Sequence, residues 1–245
     1  MITRKPLVAC VVGMDGCGKS STFRGAVKAL AKTIRVVGIG ELVWSGGPGE
    51  PFQQRTDIPL SRSAHIIGRV AKNLRWRRLY KNLKFVELAE RARIRDYVSA
   101  HDPPDAILTD GLPLINTAAW SVAHFYKEEL VDDEELYEAL CYLAGEETIP
   151  LAELPRYMRR AWQVALVNLL RLCRFKPPDM VFLLDLDPAV AIARIRARGK
   201  ALQKHETEAF LGELGQGYVR VCELYQARRG IALTTIRGDQ VCLEE

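Results

Sequence analysis

Residues Gly13 to Ser20 read GMDGCGKS, which satisfies the spacing G-x-x-x-x-G-K-S. Glycines at those places let successive backbone N–H groups turn inward around an anion. Lys19 can then reach β- and γ-phosphates, and the hydroxyl of Ser20 can meet Mg²⁺. The stretch Gly13, Met14, Asp15, Gly16, Cys17, Gly18, Lys19, Ser20 and Ser21 is therefore expected to bind a nucleoside triphosphate, with ATP and Mg²⁺ as cofactors. A plain glycine-rich turn between a strand and a helix is the alternative. Context favours the phosphate reading. The apolar run Leu7 to Val12 leads in as a buried strand, and Phe23, Ala26, Val27 and Leu30 follow at the helical period. The helix N-terminus then adds its positive end to the loop.

Other residues able to do chemistry lie further along. Asp110 closes the apolar run Ala106 to Thr109. It is placed to reach the metal through water, or else it is a turn acid or helix cap. Glu41 follows the second apolar run; a carboxylate there can take a proton from a hydroxyl acceptor, or it is an ordinary loop acid. Arg194 and Arg198 stand four apart on a predicted helix, hence on one face, where two guanidinium groups can clamp phosphate oxygens. A solvated basic face is the bland alternative. Trp44 and Phe85 are candidates for stacking on a base, although aromatic residues on such elements are more often core.

These residues need a scaffold that brings strand ends together. Five continuous apolar runs, Leu7 to Val12, Ile34 to Ile39, Ala106 to Thr109, Met180 to Leu184 and Ile231 to Ile236, suit strands covered on both faces of a parallel sheet. Helices are expected over Lys19–Lys32, within Ser61–Ala100 and Leu114–Leu143, and over Ala152–Arg174, Pro188–Arg198 and Glu206–Arg228. Asp187 and Pro188 form an N-cap and first-turn pair. The segment Trp44 to Pro59 reads as a long loop, being rich in Gly and Pro. The fold class is α/β, a P-loop NTPase fold with a five-stranded parallel sheet flanked by helices. It forms one domain over residues 1–245, with a helical insertion at 127–160 and a helical lid at 194–206.

The chain has 245 residues, 48% of them hydrophobic, enough to bury a full core. Its net charge of +5, from 35 basic and 30 acidic residues, suits an anionic small substrate and is too weak to imply nucleic acid. Six scattered cysteines without metal-binding spacing are read as reduced thiols of a cytoplasmic protein. Cys17 lies inside the loop, so its alkylation is expected to block nucleotide binding. No membrane role is expected: Ala161 to Leu172 is too short to span a bilayer and is flanked by arginines. Arg69 to Arg95 holds ten basic residues against Glu87 and Glu90, with Trp76 and Tyr80 among them. That could be a nucleic-acid stripe. With Ile67, Val70 and Leu74 marking a buried face, the basic residues are instead expected to be solvated or at a subunit seam.

Four stretches together resemble the thymidylate kinase family, within the P-loop nucleotide and nucleoside kinases. They are GMDGCGKSS, Leu108-Thr109-Asp110, PPDMVFLLDLDPAVAIARIRARGK and HETEAFLGELGQGYVRVCELY. The resemblance covers both ends and is poor over Ser45 to Pro178. It implies that Asp15 contacts the acceptor's 3′-hydroxyl, that Arg91 binds the acceptor, and that Arg237, Gly238 and Asp239 lie by the adenine. It also implies a homodimer. Some family members carry an arginine in the loop where this chain has Gly16 and Cys17, so the catalytic arginine is expected from the lid.

Family members that phosphorylate monophosphates bring arginines to places held here by Gly40 and Gly111. The run Gly40-Glu41-Leu42-Val43-Trp44 also resembles deoxynucleoside kinases, in which such a glutamate is the base. A nucleoside monophosphate is thus the first expected acceptor. A deoxynucleoside or other small hydroxyl compound, with Glu41 as base, is the second. A nucleic-acid-binding NTPase comes third, and a nucleotide-binding module without transfer activity is opposed by the intact Lys19, Ser20 and lid arginines.

Overall fold

The structure, a computed structural model, describes residues 5–73, 77–125, 132–146, 175–199 and 206–238. The expected helix over Ala152–Arg174, most of the 127–160 segment, Leu74, Trp76, Lys200 and Asp239 lie outside the described residues.

All five expected strands form, and they run parallel: β1 (Leu7–Gly13), β2 (Val36–Ile39), β5 (Ala106–Asp110), β6 (Met180–Asp185) and β7 (Ala232–Arg237). β1 is buried on both faces from Val8 onward, as a continuous apolar run requires. The helices are α1 (Lys19–Leu30), α2 (Ser61–Asn73), α3 (Arg77–His101), α4 (Pro113–Phe125), α5 (Asp133–Ala144), α6 (Pro188–Ala197) and α7 (Glu208–Arg229). As expected, Asp187 caps α6 by accepting from the Ala189 N–H at 2.7 Å, with Pro188 in the first turn. Among the described residues no helix is long and apolar enough to cross a membrane.

The loop expected over Trp44–Pro59 is largely a hairpin. β3 (Val43–Gly47) and β4 (Glu50–Gln54) add two antiparallel strands, giving the order β4-β3-β2-β5-β1-β6-β7. The glycines and prolines that suggested a loop have separate uses. Pro48 and Gly49 make the turn, whereas Gly46 lets β3 lie on Ala31, whose Cβ would be 2.8 Å from any side chain there.

The buried face of α2 also differs from the expectation. Val70 is 47% exposed and Ile66 59%, while Ser61, Ala64 and Gly68 are buried. Small residues bring α2 close to α3, near enough that a Cβ on Gly68 would stand 2.9 Å from the Glu87 carboxyl carbon.

On α7 the stripe Leu211, Leu214, Tyr218, Val221 and Tyr225 is buried as expected. Gly217 brings α7 onto α4, where a Cβ would meet the Ala119 carbonyl oxygen at 2.9 Å. Alanine has the better helix propensity by about 1 kcal/mol, but a backbone oxygen cannot swing aside. Gly217→Ala is therefore expected to destabilise the protein by about 1–2 kcal/mol. A lower urea midpoint with unchanged slope checks this, and an unchanged midpoint contradicts it.

Within the 127–160 segment, α5 buries Leu136, Ala139 and Leu140 in the main core. Its acidic first turn faces α7: Asp133 pairs with Arg220 at 2.7 Å, and Glu134 with Arg228. These acids are thus engaged by another helix of the same chain.

Candidate active site

Because the five central strands are parallel, their carboxyl ends share one edge of the sheet. Register places Val11 of β1 opposite Asp110 of β5, and Ile39 of β2 opposite Thr109. The chain leaves β1 at Gly13, makes the glycine loop and enters α1 at Lys19. Gly16 has φ +86° and touches α6 so closely that a Cβ would lie 2.7 Å from the Ala191 oxygen, so no other residue fits there. Gly18 caps α1 without any side-chain hydrogen bond, so the positive end of the α1 dipole opens onto the loop. Beside Gly18 a Cβ would meet nothing within 4 Å, so the loop opens outward there.

Lys19 Nζ donates to the carbonyls of Gly13 at 2.8 Å and Met14 at 2.6 Å, and stands 3.6 Å from Asp15. Burial works against its ammonium group, but the acidic groups around it, Asp15 and Asp110 among them, outweigh that and raise its pKa above the ordinary lysine value. It is a fixed positive charge. Cys17, by contrast, is 3% exposed and its thiol is pushed up by burial, only partly offset by Lys19. Such a buried thiol is slow to alkylate; the expectation that its alkylation blocks nucleotide binding concerns the modified protein.

Ser20 Oγ donates to Asp110 Oδ2 at 2.8 Å. A hydroxyl and a carboxylate at the mouth of a phosphate loop fit Mg²⁺, which keeps several waters and takes few protein ligands beside phosphate oxygens. No cluster of three or more His, Cys, Asp or Glu occurs among the described residues, so a metal held by protein alone is not built here.

The expected acceptor residues divide into two groups. Glu41 lies just past β2, and its neighbour Gly40 packs on Asp110, where a Cβ would be 3.3 Å from the Asp110 Cβ. Glu41 also lines a cavity of about 180 Å³ with Ala64, His65, Gly68, Arg69 and Glu87. Arg91 donates to the Asp110 carbonyl at 3.2 Å and forms an ion pair with Glu87, to which Lys84 also donates at 2.8 Å. Arg95 donates to the Lys176 carbonyl at 2.8 Å. Several members of the basic run therefore serve internal contacts.

Neither aromatic candidate lines that cavity. Trp44 stacks on Phe52 with centroids 5.3 Å apart, and Phe85 packs edge-on against Phe175 at 5.8 Å.

Toward α6, Arg194 donates to the Gly238 carbonyl at 2.9 Å, and Gly238 packs against the phosphate loop near the Cys17 oxygen. Arg198 is the exposed C-cap of α6, and Arg237 is exposed at the end of β7. Arg194 is thus tied to the far corner of the loop, while Arg198 faces solvent.

Two residues not singled out from sequence also matter. Glu87 is 2% exposed at the heart of the α2–α3 contact. Its signal was an acid set four residues before Arg91 on an otherwise apolar helix face. Asn116 packs against Gly111, which has φ +77°, and its Nδ2 lies 2.6 Å from where a Cβ of residue 111 would sit. Its Oδ1 accepts from Tyr218 at 3.2 Å. A side chain at 111 would strain the backbone at that φ and would have to displace the Asn116 amide.

No protein-family model matches the chain. It is 23% identical over 221 residues to thymidylate kinase of Leptospira interrogans serogroup Icterohaemorrhagiae, covering 90% of this chain and 84% of that one. Thymidylate kinase of Leptospira borgpetersenii serovar Hardjo-bovis is 21% identical over 248 residues, covering 100% and 95%. Among solved structures, deoxyadenosine kinase from M. mycoides with bound dATP aligns with a TM-score of 0.50 at 14% identity, over 96% of this chain and 93% of that one. The same enzyme with products dCMP and a flexible dCDP gives 0.52 at 14% identity, over 96% and 92%. The chain is thus distantly similar to thymidylate kinases over its full length in sequence, and its fold is that of the P-loop kinases.

Proposed function

We propose that the protein is an ATP-dependent kinase that transfers the γ-phosphoryl group to a hydroxyl of a nucleoside or a small molecule of similar size, with Glu41 as the base. The observation that carries this reading is that, among the described residues, glycines stand at the two places beside Asp110 where the monophosphate kinases bring arginines. Positions 40 and 111 are glycines pressed against Asp110 and Asn116, and Arg91 is engaged by Glu87 and the Asp110 carbonyl. A dianionic acceptor needs such charges; a neutral hydroxyl needs a nearby carboxylate instead.

In this reading the loop amides and Lys19 hold the β- and γ-phosphates of ATP. Ser20 and, through water, Asp110 hold Mg²⁺, which supplies charge neutralisation on the phosphates when bound. Glu41 accepts the hydroxyl proton as the acceptor oxygen bonds to the γ-phosphorus. The bond from that phosphorus to the bridging oxygen breaks, and ADP leaves with the electron pair. Arg198 swings onto the transferring group, Arg194 keeps Gly238 against the loop beside the adenine, and Asp15 steadies the acceptor. Asp110→Asn is expected to raise the Mg²⁺ concentration for half-maximal activity on the order of tenfold. A Mg²⁺ titration of ADP formation checks this, and an unmoved midpoint contradicts it.

A second reading, transfer to a nucleoside monophosphate, is favoured by the sequence similarity to thymidylate kinases. Measuring ADP formation with thymidine, deoxyadenosine, dTMP and dAMP separates the two. Turnover confined to the monophosphates would overturn the hydroxyl reading.

A further inference from the structure

The aspartate that faces Ser20 is followed by a peptide unit gripped at both ends. The Gly111 N–H donates to the Val11 carbonyl at 2.8 Å, and the Asp110 carbonyl accepts from Arg91 at 3.2 Å. Gly111 takes φ +77°, so the chain turns sharply out of the strand there. The orientation of this peptide sets the direction of the Asp110 Cα–Cβ bond. It therefore also sets the carboxylate that accepts from Ser20 Oγ at 2.8 Å. One grip is backbone of the neighbouring strand, and the other is a single side chain.

Arg91 is built into that place. Its side chain is 10% exposed, and its second terminal nitrogen pairs with Glu87, whose side chain is 2% exposed. Lys84 donates to the other Glu87 oxygen at 2.8 Å, so the carboxylate is held between two cations. Glu87 can lie there because α2 has a glycine opposite it: a Cβ on Gly68 would stand 2.9 Å from its carboxyl carbon. The Arg91 Nε–H, meanwhile, is buried without a hydrogen bond. A donor left so is costly, and the guanidinium accepts that cost to bridge Glu87 and the Asp110 carbonyl with its two terminal nitrogens.

We infer that Arg91 is a positioning residue: by bridging Glu87 and the Asp110 carbonyl it sets the Asp110 carboxylate for the metal ion, rather than touching the acceptor. Glu87 is its anchor. A lysine in place of Arg91 keeps the charge, but its single nitrogen cannot serve both partners in a fixed plane. This role rests on the reading above in which Ser20 and Asp110 hold Mg²⁺.

The test measures the Kd of a fluorescent, non-hydrolysable ATP mimic for the full chain, once in EDTA and once at saturating Mg²⁺, with a melting curve for each variant. The ratio of the two Kd values reports what the metal adds to binding. Asp110→Asn is the reference and should shrink that ratio on the order of tenfold. Arg91→Lys is expected to shrink it about fivefold, and Glu87→Gln, the milder change, at least about twofold. In the Asp110→Asn background, Arg91→Lys should add less than about twofold, because the arginine acts only through that aspartate. A lowered melting temperature with the ratio unmoved would show a merely structural role, or one toward the acceptor, and overturn the inference. Full additivity of the two substitutions would overturn it as well. Should Arg91→Lys fail to fold, Glu87→Gln carries the same decision. Failure of the metal reading shows itself separately, as a ratio unmoved by Asp110→Asn.

Discussion

Lys19→Ala is expected to lower phosphoryl transfer on the order of a thousand-fold while the protein stays folded. Two loop carbonyls, those of Gly13 and Met14, accept from the Lys19 ammonium group at 2.8 and 2.6 Å. Neighbouring acids keep it charged despite burial. As the γ-phosphorus parts from ADP, negative charge grows on the bridging oxygen and the β-phosphate. A fixed cation in a partly desolvated site stabilises that growth without reorganising, which is why removing one such group costs several kcal/mol of barrier. Alanine removes the charge and leaves the Gly13 and Met14 carbonyls without this donor, so the melting curve is read beside the rate. ADP formation under saturating ATP measures the effect alongside a melting curve. A variant that keeps a tenth or more of wild-type turnover contradicts the assignment of this loop as the transfer site.

The second large effect is expected at Glu41. With a hydroxyl acceptor, Glu41→Gln should lower kcat by about 10²–10⁴-fold, because a neutral amide cannot take the proton. KM for the acceptor should change far less, since the amide keeps the size and much of the hydrogen bonding of the carboxylate. A phosphate acceptor gives the opposite outcome. With a second pKa near 6 it is already a nucleophile at neutral pH, and loss of the base leaves kcat within a few-fold. Steady-state kinetics of the one variant thus divides the two readings.

The parts of this account that were legible in the chain are those set by local chemistry. The loop at Gly13–Ser20 shows itself because backbone conformation at Gly16 and the capping of α1 at Gly18 demand particular residues in a row. The five parallel strands show themselves as apolar runs, and α6 through Asp187 and Pro188. The hairpin β3–β4 was hidden because glycine and proline have the same signature in a loop as in a tight turn with close packing. On α2 the apolar residues Ile66 and Val70 point outward, and the contact with α3 is made by Ala64 and Gly68, which carry little hydrophobic signal. The roles of Glu87 and Asn116 depend on neighbours from other elements, such as Lys84 and Gly68 or Gly111 and Tyr218, which spacing alone cannot assemble. The acidic run at Asp133–Glu134 was similarly opaque until α7 brought Arg220 and Arg228 across to it.

The central claim, transfer of phosphate from ATP to a hydroxyl, is tested most directly by ³¹P NMR of the reaction mixture with a panel of hydroxyl and monophosphate acceptors. The account predicts that the ATP γ-phosphate signal is replaced by a phosphomonoester singlet in step with the appearance of ADP. A new pair of coupled diphosphate doublets beyond those of ADP, or inorganic phosphate alone, would contradict it.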